Sequence, residues 1–265
     1  MDKTKIDWAD MSWNPVTGCR HGCEYCYARR IAERFGGYDS GGGVSTFNPL
    51  PRAELTRPLT ITRANGKTIN SPYPFGFEPT LHRYRLGEPA RKQRTRNIFV
   101  GSMTDLFGAW VPTAWIRDVI DACEEADQHN YMFLTKNPGR YIDLDRMALL
   151  PRESNFWYGT TVTAPEQDYF YSDHHKTFLS IEPLLCPMGD SATALKGVDW
   201  LIVGAMTGPG SEKHRPQRAW VEDIVAQCRE RSVPVFMKGN LAPVWGEPLI
   251  QEFPPELKRE ARTNA

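Results

Sequence analysis

Short apolar runs rich in β-branched and aromatic residues recur along the chain, and each is followed by a polar cluster. They read Ile98-Phe99-Val100, Tyr131-Met132-Phe133-Leu134, Phe156-Trp157-Tyr158, Thr177-Phe178-Leu179, Trp200-Leu201-Ile202-Val203 and Val235-Phe236-Met237. Runs this short and apolar suit buried strands. Between them, apolar positions return at helical spacing over 114–128, 140–150 and 218–231. Ser12-Trp13-Asn14-Pro15 adds a first strand and 26–35 its helix, which brings the count to about seven strands. Alternation of this kind predicts βα units on a parallel sheet, an α/β fold. The count suits a partial or full (β/α) barrel. A doubly wound dinucleotide fold fits less well, because no Gly-x-Gly-x-x-Gly follows an early strand and no Walker sequence occurs.

The polar clusters at the strand ends are Gly101-Ser102-Met103-Thr104-Asp105, Thr135-Lys136-Asn137, Gly159-Thr160-Thr161-Val162-Thr163, Ser180-Ile181-Glu182-Pro183, Gly204-Ala205-Met206-Thr207-Gly208 and Lys238-Gly239-Asn240. In βα barrels the active site lies at the C-terminal ends of the strands. Helix capping accounts for some of the Ser, Thr, Asp and Asn. It does not account for Lys136, Glu182 and Lys238 directly after apolar runs.

Composition narrows the class. The chain has 265 residues, is 40% apolar and carries 12 Phe, 10 Tyr and 8 Trp, too hydrophobic for disorder. No apolar run approaches the roughly 18 residues of a membrane span. The polar start Met1-Asp2-Lys3-Thr4-Lys5-Ile6-Asp7 leads into no apolar signal region. The expectation is a soluble cytoplasmic protein without membrane association, one domain over 1–265. A chain of this length buries about 70–75% of its unfolded surface and needs no disulfides.

Charge is balanced overall, 32 Lys+Arg against 32 Asp+Glu, which speaks against a general polyanion binder. It is unevenly placed: residues 48–96 carry +7 and the remainder −7. This basic stretch lies in an insertion, 36–96, that opens with the Gly-rich run Gly36-Gly37-Tyr38-Asp39-Ser40-Gly41-Gly42-Gly43. Tyr73, Phe75, Phe77 and Tyr84 fall among its arginines. Two readings stand: an ordered lid whose arginines and aromatics contact phosphate and stack on bases, or a solvated self-contained loop.

Six cysteines carry the sharpest signal. Cys123 and Cys228 continue helical apolar stripes and read as small core residues. Cys186 follows a strand and stays ambiguous. Cys19, Cys23 and Cys26 fall within eight residues, in Thr17-Gly18-Cys19-Arg20-His21-Gly22-Cys23-Glu24-Tyr25-Cys26. Gly18 and Gly22 permit the positive φ angles a curled loop needs. Structural zinc usually takes two separated ligand pairs, and only His21 is at hand as a fourth ligand. A Cys-x-x-Cys redox pair leaves Cys19 idle, and a disulfide does not suit a cytosolic chain. An iron–sulfur cluster held by three cysteines, with one iron open to a ligand, uses all three.

Cys-x3-Cys-x2-Cys with an aromatic residue before the third cysteine resembles the signature of radical S-adenosylmethionine enzymes. Trp13-Asn14-Pro15-Val16-Thr17-Gly18-Cys19, Phe99-Val100-Gly101-Ser102-Met103-Thr104-Asp105-Leu106-Phe107, Phe133-Leu134-Thr135-Lys136-Asn137-Pro138, Ser180-Ile181-Glu182-Pro183-Leu184-Leu185 and Asp199-Trp200-Leu201-Ile202-Val203-Gly204 are similar to one branch. It is the phage- and prophage-associated radical-SAM-like family, whose members are mostly of unassigned function. The superfamily's glycine-glycine-glutamate turn is not literal here; Gly101-Ser102-Met103-Thr104-Asp105 takes its place.

The resemblance implies a barrel of the radical-SAM type. It implies a 4Fe–4S cluster on Cys19, Cys23 and Cys26, with Tyr25 near the adenine of S-adenosylmethionine. Met103, Thr104 and Asp105 face the amino end of that cofactor, and Thr160, Thr161 and Thr163 its ribose or carboxylate. Ser180 and Glu182 meet its ribose hydroxyls or the substrate, while Lys136 and Lys238 hold substrate phosphate or carboxylate. A flavodoxin- or ferredoxin-like protein donates the electron. The substrate expected from residues 48–96 is a nucleotide or nucleic-acid base. The competing class is a non-catalytic zinc- or iron–sulfur-binding protein that interacts with nucleic acid.

Overall fold

The computed structural model describes residues 1–40, 43–45, 53–189, 195–208 and 210–257. Gly41 and Gly42 of the Gly-rich run, and 48–52 with Arg52, lie outside the described residues. The chain begins with β1 (Asp2–Lys3), β2 (Met11–Trp13), β3 (Val16–Thr17) and α1 (Tyr27–Phe35). The insertion carries β4 (Tyr38–Asp39), β5 (Val44–Ser45), β6 (Ala53–Leu55), β7 (Thr60–Thr62), β8 (Thr68–Asn70) and β9 (Thr80–His82). There follow β10 (Asn97–Val100), α2 (Thr113–Glu124), β11 (Asn130–Thr135), α3 (Gly139–Arg146), β12 (Phe156–Thr161), β13 (Lys176–Ile181), β14 (Trp200–Val203), α4 (Arg218–Glu230) and β15 (Val235–Met237).

The main sheet runs β1-β2-β10-β11-β12-β13-β14-β15, parallel throughout except for β1, which pairs antiparallel with β2. Seven parallel strands match the seven expected. Both faces of the sheet are buried, as a parallel sheet requires. Alternate residues of one strand therefore serve two cores. Ile98, Val100, Tyr131, Phe133, Phe156 and Tyr158 pack outward with residues of α2 and α3. Leu179, Ile181, Leu201, Val203, Val235 and Met237 pack outward with residues of α4. Phe99, Met132, Trp157, Phe178, Trp200, Ile202 and Phe236 pack on the inner face with Trp8.

Trp8 shows how far the sheet curls. Its ring lies 4.7 Å from Phe99 on β10, 6.1 Å from Phe178 on β13 and 6.3 Å from Trp200 on β14. In a flat sheet β10 and β14 would be about 19 Å apart, at about 4.8 Å per strand. The strands wrap around the indole. Gly159 of β12 makes room for this inner core, since a Cβ there would sit 2.2 Å from Phe178 Cζ.

Among the described residues the sheet does not close, so the full-barrel form of the expectation gives way to an open one with β1 and β15 as edges. The edge of β15 is bordered instead by the C-terminal segment. Met237 N donates to Ile250 O at 2.7 Å and Glu252 N to Val235 O at 2.8 Å. Asp7 Oδ2 accepts from Gly239 N at 2.9 Å and ties the loop that carries Trp8 to the end of β15.

Two helices stop earlier than their apolar spacing predicts. After α3, Ala148 takes φ +54° and Leu149 N bonds back to Leu144 O, a left-handed stop formed without glycine. After α2, Ala126 N bonds to Cys123 O, and the chain tightens into turns before β11.

The described part of the insertion is ordered and is not a self-contained loop. Its β9 pairs antiparallel with β3 and parallel with β6, which fastens it to the residues just before Cys19. Phe75 is buried, and Phe77 is buried against the cavity at the strand ends, so neither is a surface platform for bases. Arg85 donates to the Asn14 and Pro72 carbonyls, and Arg83 pairs with Glu54 and Asp118. Arg91, Lys92 and Arg94 are exposed, but they precede β10 and so stand at the opposite end of the strands from the strand-end clusters.

His82 of β9 is fully buried between Thr17 Oγ1 at 2.9 Å and the Tyr84 hydroxyl at 3.1 Å. Burial, aided by the Arg85 charge, pushes its pKa from 6.5 down to about 2. Between those values the unfolded chain binds a proton that the folded chain refuses, so stability falls as pH drops through 6.5. The expected loss from His82 is up to about 1.4 kcal/mol per pH unit. Urea unfolding at pH 7, 6 and 5 measures it. His82→Gln reduces the slope without abolishing it, because burial also holds His129 and His175 low.

Candidate metal and cofactor site

The C-terminal ends of the parallel strands surround a cavity of about 270 Å³. Its walls come from Cys19, Cys23 and Cys26, from Gly101, Ser102, Thr104 and Asp105 after β10, and from Lys136, Thr161, Ser180, Glu182 and Lys238. Trp8, Phe99 and Leu134 give it an apolar side continuous with the inner core. A larger cavity of about 420 Å³ lies on the outer side, against Leu179, Leu201 and Ile224. It touches none of the cysteines or strand-end cations.

The cysteine loop is curled by specific contacts. Gly18 takes φ +91° and lies so close to Glu78 that a Cβ would meet its carbonyl at 2.3 Å. Gly18 N donates to Met103 O at 2.9 Å, Thr104 Oγ1 to Gly18 O at 2.6 Å, and Cys19 N to Phe77 O at 3.1 Å. Cys26 caps α1, its Sγ accepting from Arg29 N at 3.3 Å.

All three cysteines are free and half-buried. Burial, with the charges of Asp105, Cys26 and Cys23, raises the Cys19 pKa to about 11; the His21 backbone hydrogen bond opposes this. Three thiolates beside a carboxylate therefore repel one another unless a cation joins them. This donor set fits an iron–sulfur cluster. Among the described residues no three His, Cys, Asp or Glu side chains group as one metal ion requires. A cluster spreads its cysteines over separate irons, so they need only border a common space.

Asp105 is nearly fully buried and saturated. Oδ2 accepts from His21 Nε2 at 2.7 Å and from Lys136 N at 2.9 Å; Oδ1 accepts from Thr135 Oγ1 at 2.7 Å and Phe107 N at 3.1 Å. Four donors exhaust a carboxylate's lone pairs. The Asp105 carboxylate is thus engaged in bracing the site, which leaves backbone carbonyls as the groups of this turn open to a cofactor amine. Lys136 lies over the Tyr25 ring at 5.5 Å, and burial lowers its pKa against the pull of Cys23, Asp105, Cys19 and Glu182. Burial, together with Cys23 and Cys26, raises the Tyr25 pKa to about 12. Lys238 Nζ pairs directly with Glu182 Oε1.

Three expected residues do not line the cavity. Met103 is buried beside Ala28, Ala32 and Phe77, under α1. Thr160 is buried and its hydroxyl accepts from Phe170 N at 3.1 Å. Thr163 Oγ1 lies 3.3 Å from Gln167 Oε1, which also accepts from Thr163 N. The cavity also uses residues that no strand-end pattern marks. Tyr27 borders it and donates to Ser102 O at 2.7 Å. Asn14 braces the turn after β10, its Oδ1 accepting from Met103 N at 2.9 Å. Tyr27 opens α1 directly after Cys26, and Asn14 follows directly on β2, so both could have been flagged by position; nothing local marks Trp8.

The Glu182–Lys238 pair is about three-quarters buried or more, 27% and 19% of the side chains being exposed. Glu182→Ala and Lys238→Ala should each destabilise the fold. The double variant should fall short of the sum by about 1–3 kcal/mol. Urea unfolding of the four proteins in the cycle measures this coupling.

No curated protein matches the chain. Among solved structures it is similar to spore photoproduct lyase complexed with dinucleoside spore photoproduct, at 14% identity and a TM-score of 0.45, covering 86% of this chain and 63% of that one. A variant of that lyase with bound AdoMet and dinucleoside spore photoproduct gives 13% identity and a TM-score of 0.44, covering 87% and 64%. The chain thus spans less than two thirds of the length of these structures, and likeness this distant carries no argument about activity. A family model described as "Protein of unknown function (DUF5131)" matches residues 3–251, which include all seven parallel strands of the main sheet and all three clustered cysteines, and the chain belongs to that family.

Proposed function

We propose that the chain is a radical S-adenosylmethionine enzyme. The observation that carries this reading is the convergence of three free thiols, on one curled loop, with the polar ends of a parallel sheet around a single cavity. When bound, a reduced 4Fe–4S cluster supplies an electron that cleaves S-adenosylmethionine to methionine and a 5′-deoxyadenosyl radical able to abstract a substrate hydrogen.

The chain's own residues bind and position. Cys19, Cys23 and Cys26 each take a separate iron. The indole of Trp8 with Phe99 and Leu134 offers an apolar wall for a nucleoside ring and keeps water out of it. The Thr161 and Ser180 hydroxyls and the Thr104 side chain are the polar groups at hand for ribose and the methionine end. The Lys136 ammonium, held over Tyr25, suits a carboxylate or phosphate. Glu182, fixed by Lys238, is the carboxylate placed to accept a hydroxyl proton or hydrogen bond from ligand. Met103, Thr160 and Thr163 support the walls from behind.

The electron comes from a flavodoxin- or ferredoxin-like donor. A nucleotide or nucleic-acid base remains the substrate class of choice, held by the cavity's Lys136. The exposed Arg57, Arg63 and Lys67 near β7 and β8 are the cations of the insertion still open to phosphate.

Anaerobic reconstitution with iron and sulfide, then dithionite and S-adenosylmethionine, tests the reading. The wild type should hold about four iron atoms per chain and release 5′-deoxyadenosine. Cys26→Ala should lose iron and at least about tenfold in cleavage, as removal of a metal's supporting groups typically does. A colourless protein with stoichiometric zinc and no 5′-deoxyadenosine would sink the reading in favour of a non-catalytic metal-binding module.

A further inference from the structure

The loop between Cys19 and Cys23 is anchored to the strand ends by the side chain at its middle. His21 Nε2 lies 2.7 Å from Asp105 Oδ2, 84 residues along the chain. A carboxylate only accepts, so Nε2 carries the proton and donates. The imidazole is only 23% exposed, and Trp110 meets its ring edge-on at 4.8 Å. That indole can settle there because Gly108 lies flat against it; a Cβ would come within 2.4 Å of Trp110 Cζ2. One ring is thus fixed on two sides.

Fixing the ring also fixes the backbone beside it. The His21 backbone sits two residues from Cys19 and lowers the pKa of its thiol, so the residue that grips Asp105 also stands beside the first cysteine. Asp105 in turn holds Lys136 N with the same Oδ2 and Thr135 Oγ1 with Oδ1. A single carboxylate joins the cysteine loop to the strand end that presents Lys136. His21 is not placed as a ligand in its own right. Its Nε2 is spent on Asp105.

We propose that His21 is the positioning residue of the cysteine loop, holding Cys19 and Cys23 for their metal through Asp105 and Trp110. The proposal rests on the radical-enzyme reading for the identity of that metal, but not for the contacts themselves. Groups that orient ligands from behind typically change metal affinity 10–100-fold when removed.

The test uses the full chain in two states. Metal-free protein is pulsed with iodoacetamide, and the alkylation of each cysteine is followed by peptide mass spectrometry. In His21→Ala, Cys19 and Cys23 should react at least about threefold faster than in wild type, because the loop opens locally. Cys186, which lies outside the cavity, serves as internal reference and should not change. His21→Gln, which keeps an N–H at similar reach, should stay near wild type, and Asp105→Asn should follow His21→Ala. In reconstituted protein, iron affinity should fall roughly tenfold in His21→Ala and recover in His21→Gln. The reduced-state electron paramagnetic resonance of the residual iron should also be altered in His21→Ala. Unchanged Cys19 and Cys23 rates overturn the proposal, as does equal acceleration of Cys186, which would mark general unfolding. A wild type that takes up no iron defeats the radical reading, while the alkylation pattern still decides the role of His21.

Discussion

A sheet of short strands that is apolar on both faces must roll up around something, and this one rolls around Trp8. The indole touches side chains of strands that a flat sheet would hold about 19 Å apart, and it does so from a loop outside the sheet. Apolar burial drives the curl and is worth about 25 cal/mol for each Å² removed from water. Without closure by hydrogen bonds between β1 and β15, the fold relies on this inner contact, on Asp7 and on the C-terminal segment at the open seam.

The curl brings seven strand ends toward one cavity, and the polar groups there divide into two kinds. Some are spent on one another: Asp105 on four donors, Lys238 on Glu182, Asn240 on the backbone of Ala205. Others border the space with little or no such engagement: the three thiols, Thr161, Ser180 and Lys136. The first set gives the site its shape at a local dielectric where unpaired groups would be expensive. The second set is left facing the space. A charged residue at a strand end is therefore not by itself a ligand, and the bonding around it decides which kind it is.

The sheet was legible because buried parallel strands leave an unbroken apolar signature, as in Tyr131 to Leu134 or Trp200 to Val203. Its strand-end polar residues were legible for the same reason, since they break that signature. Three things were not. The stop of α3 depends on Ala148 adopting a left-handed angle that glycine usually supplies. The insertion's aromatics read as surface stacking groups, yet Phe75 and Phe77 are core, because pairing of β9 with β3 is a long-range contact with no local pattern. Thr160 and Thr163 share a polar run with Thr161, but strand alternation and a turn point them elsewhere.

The clasp around the cysteines has a consequence for how the chain acquires its shape. Thr17 waits for His82, Gly18 for Met103 and Thr104, and His21 for Asp105. The motif is written within the first tenth of the sequence, but the contacts that fasten it to the sheet come from residues as many as 86 positions later. Contacts of such long sequence separation form late, after loop closure has been overcome. On an emerging chain the three thiols would stay open and uncurled until the strand ends of β10 and β11 had joined, so a metal held by all three would have to load after that assembly rather than before it.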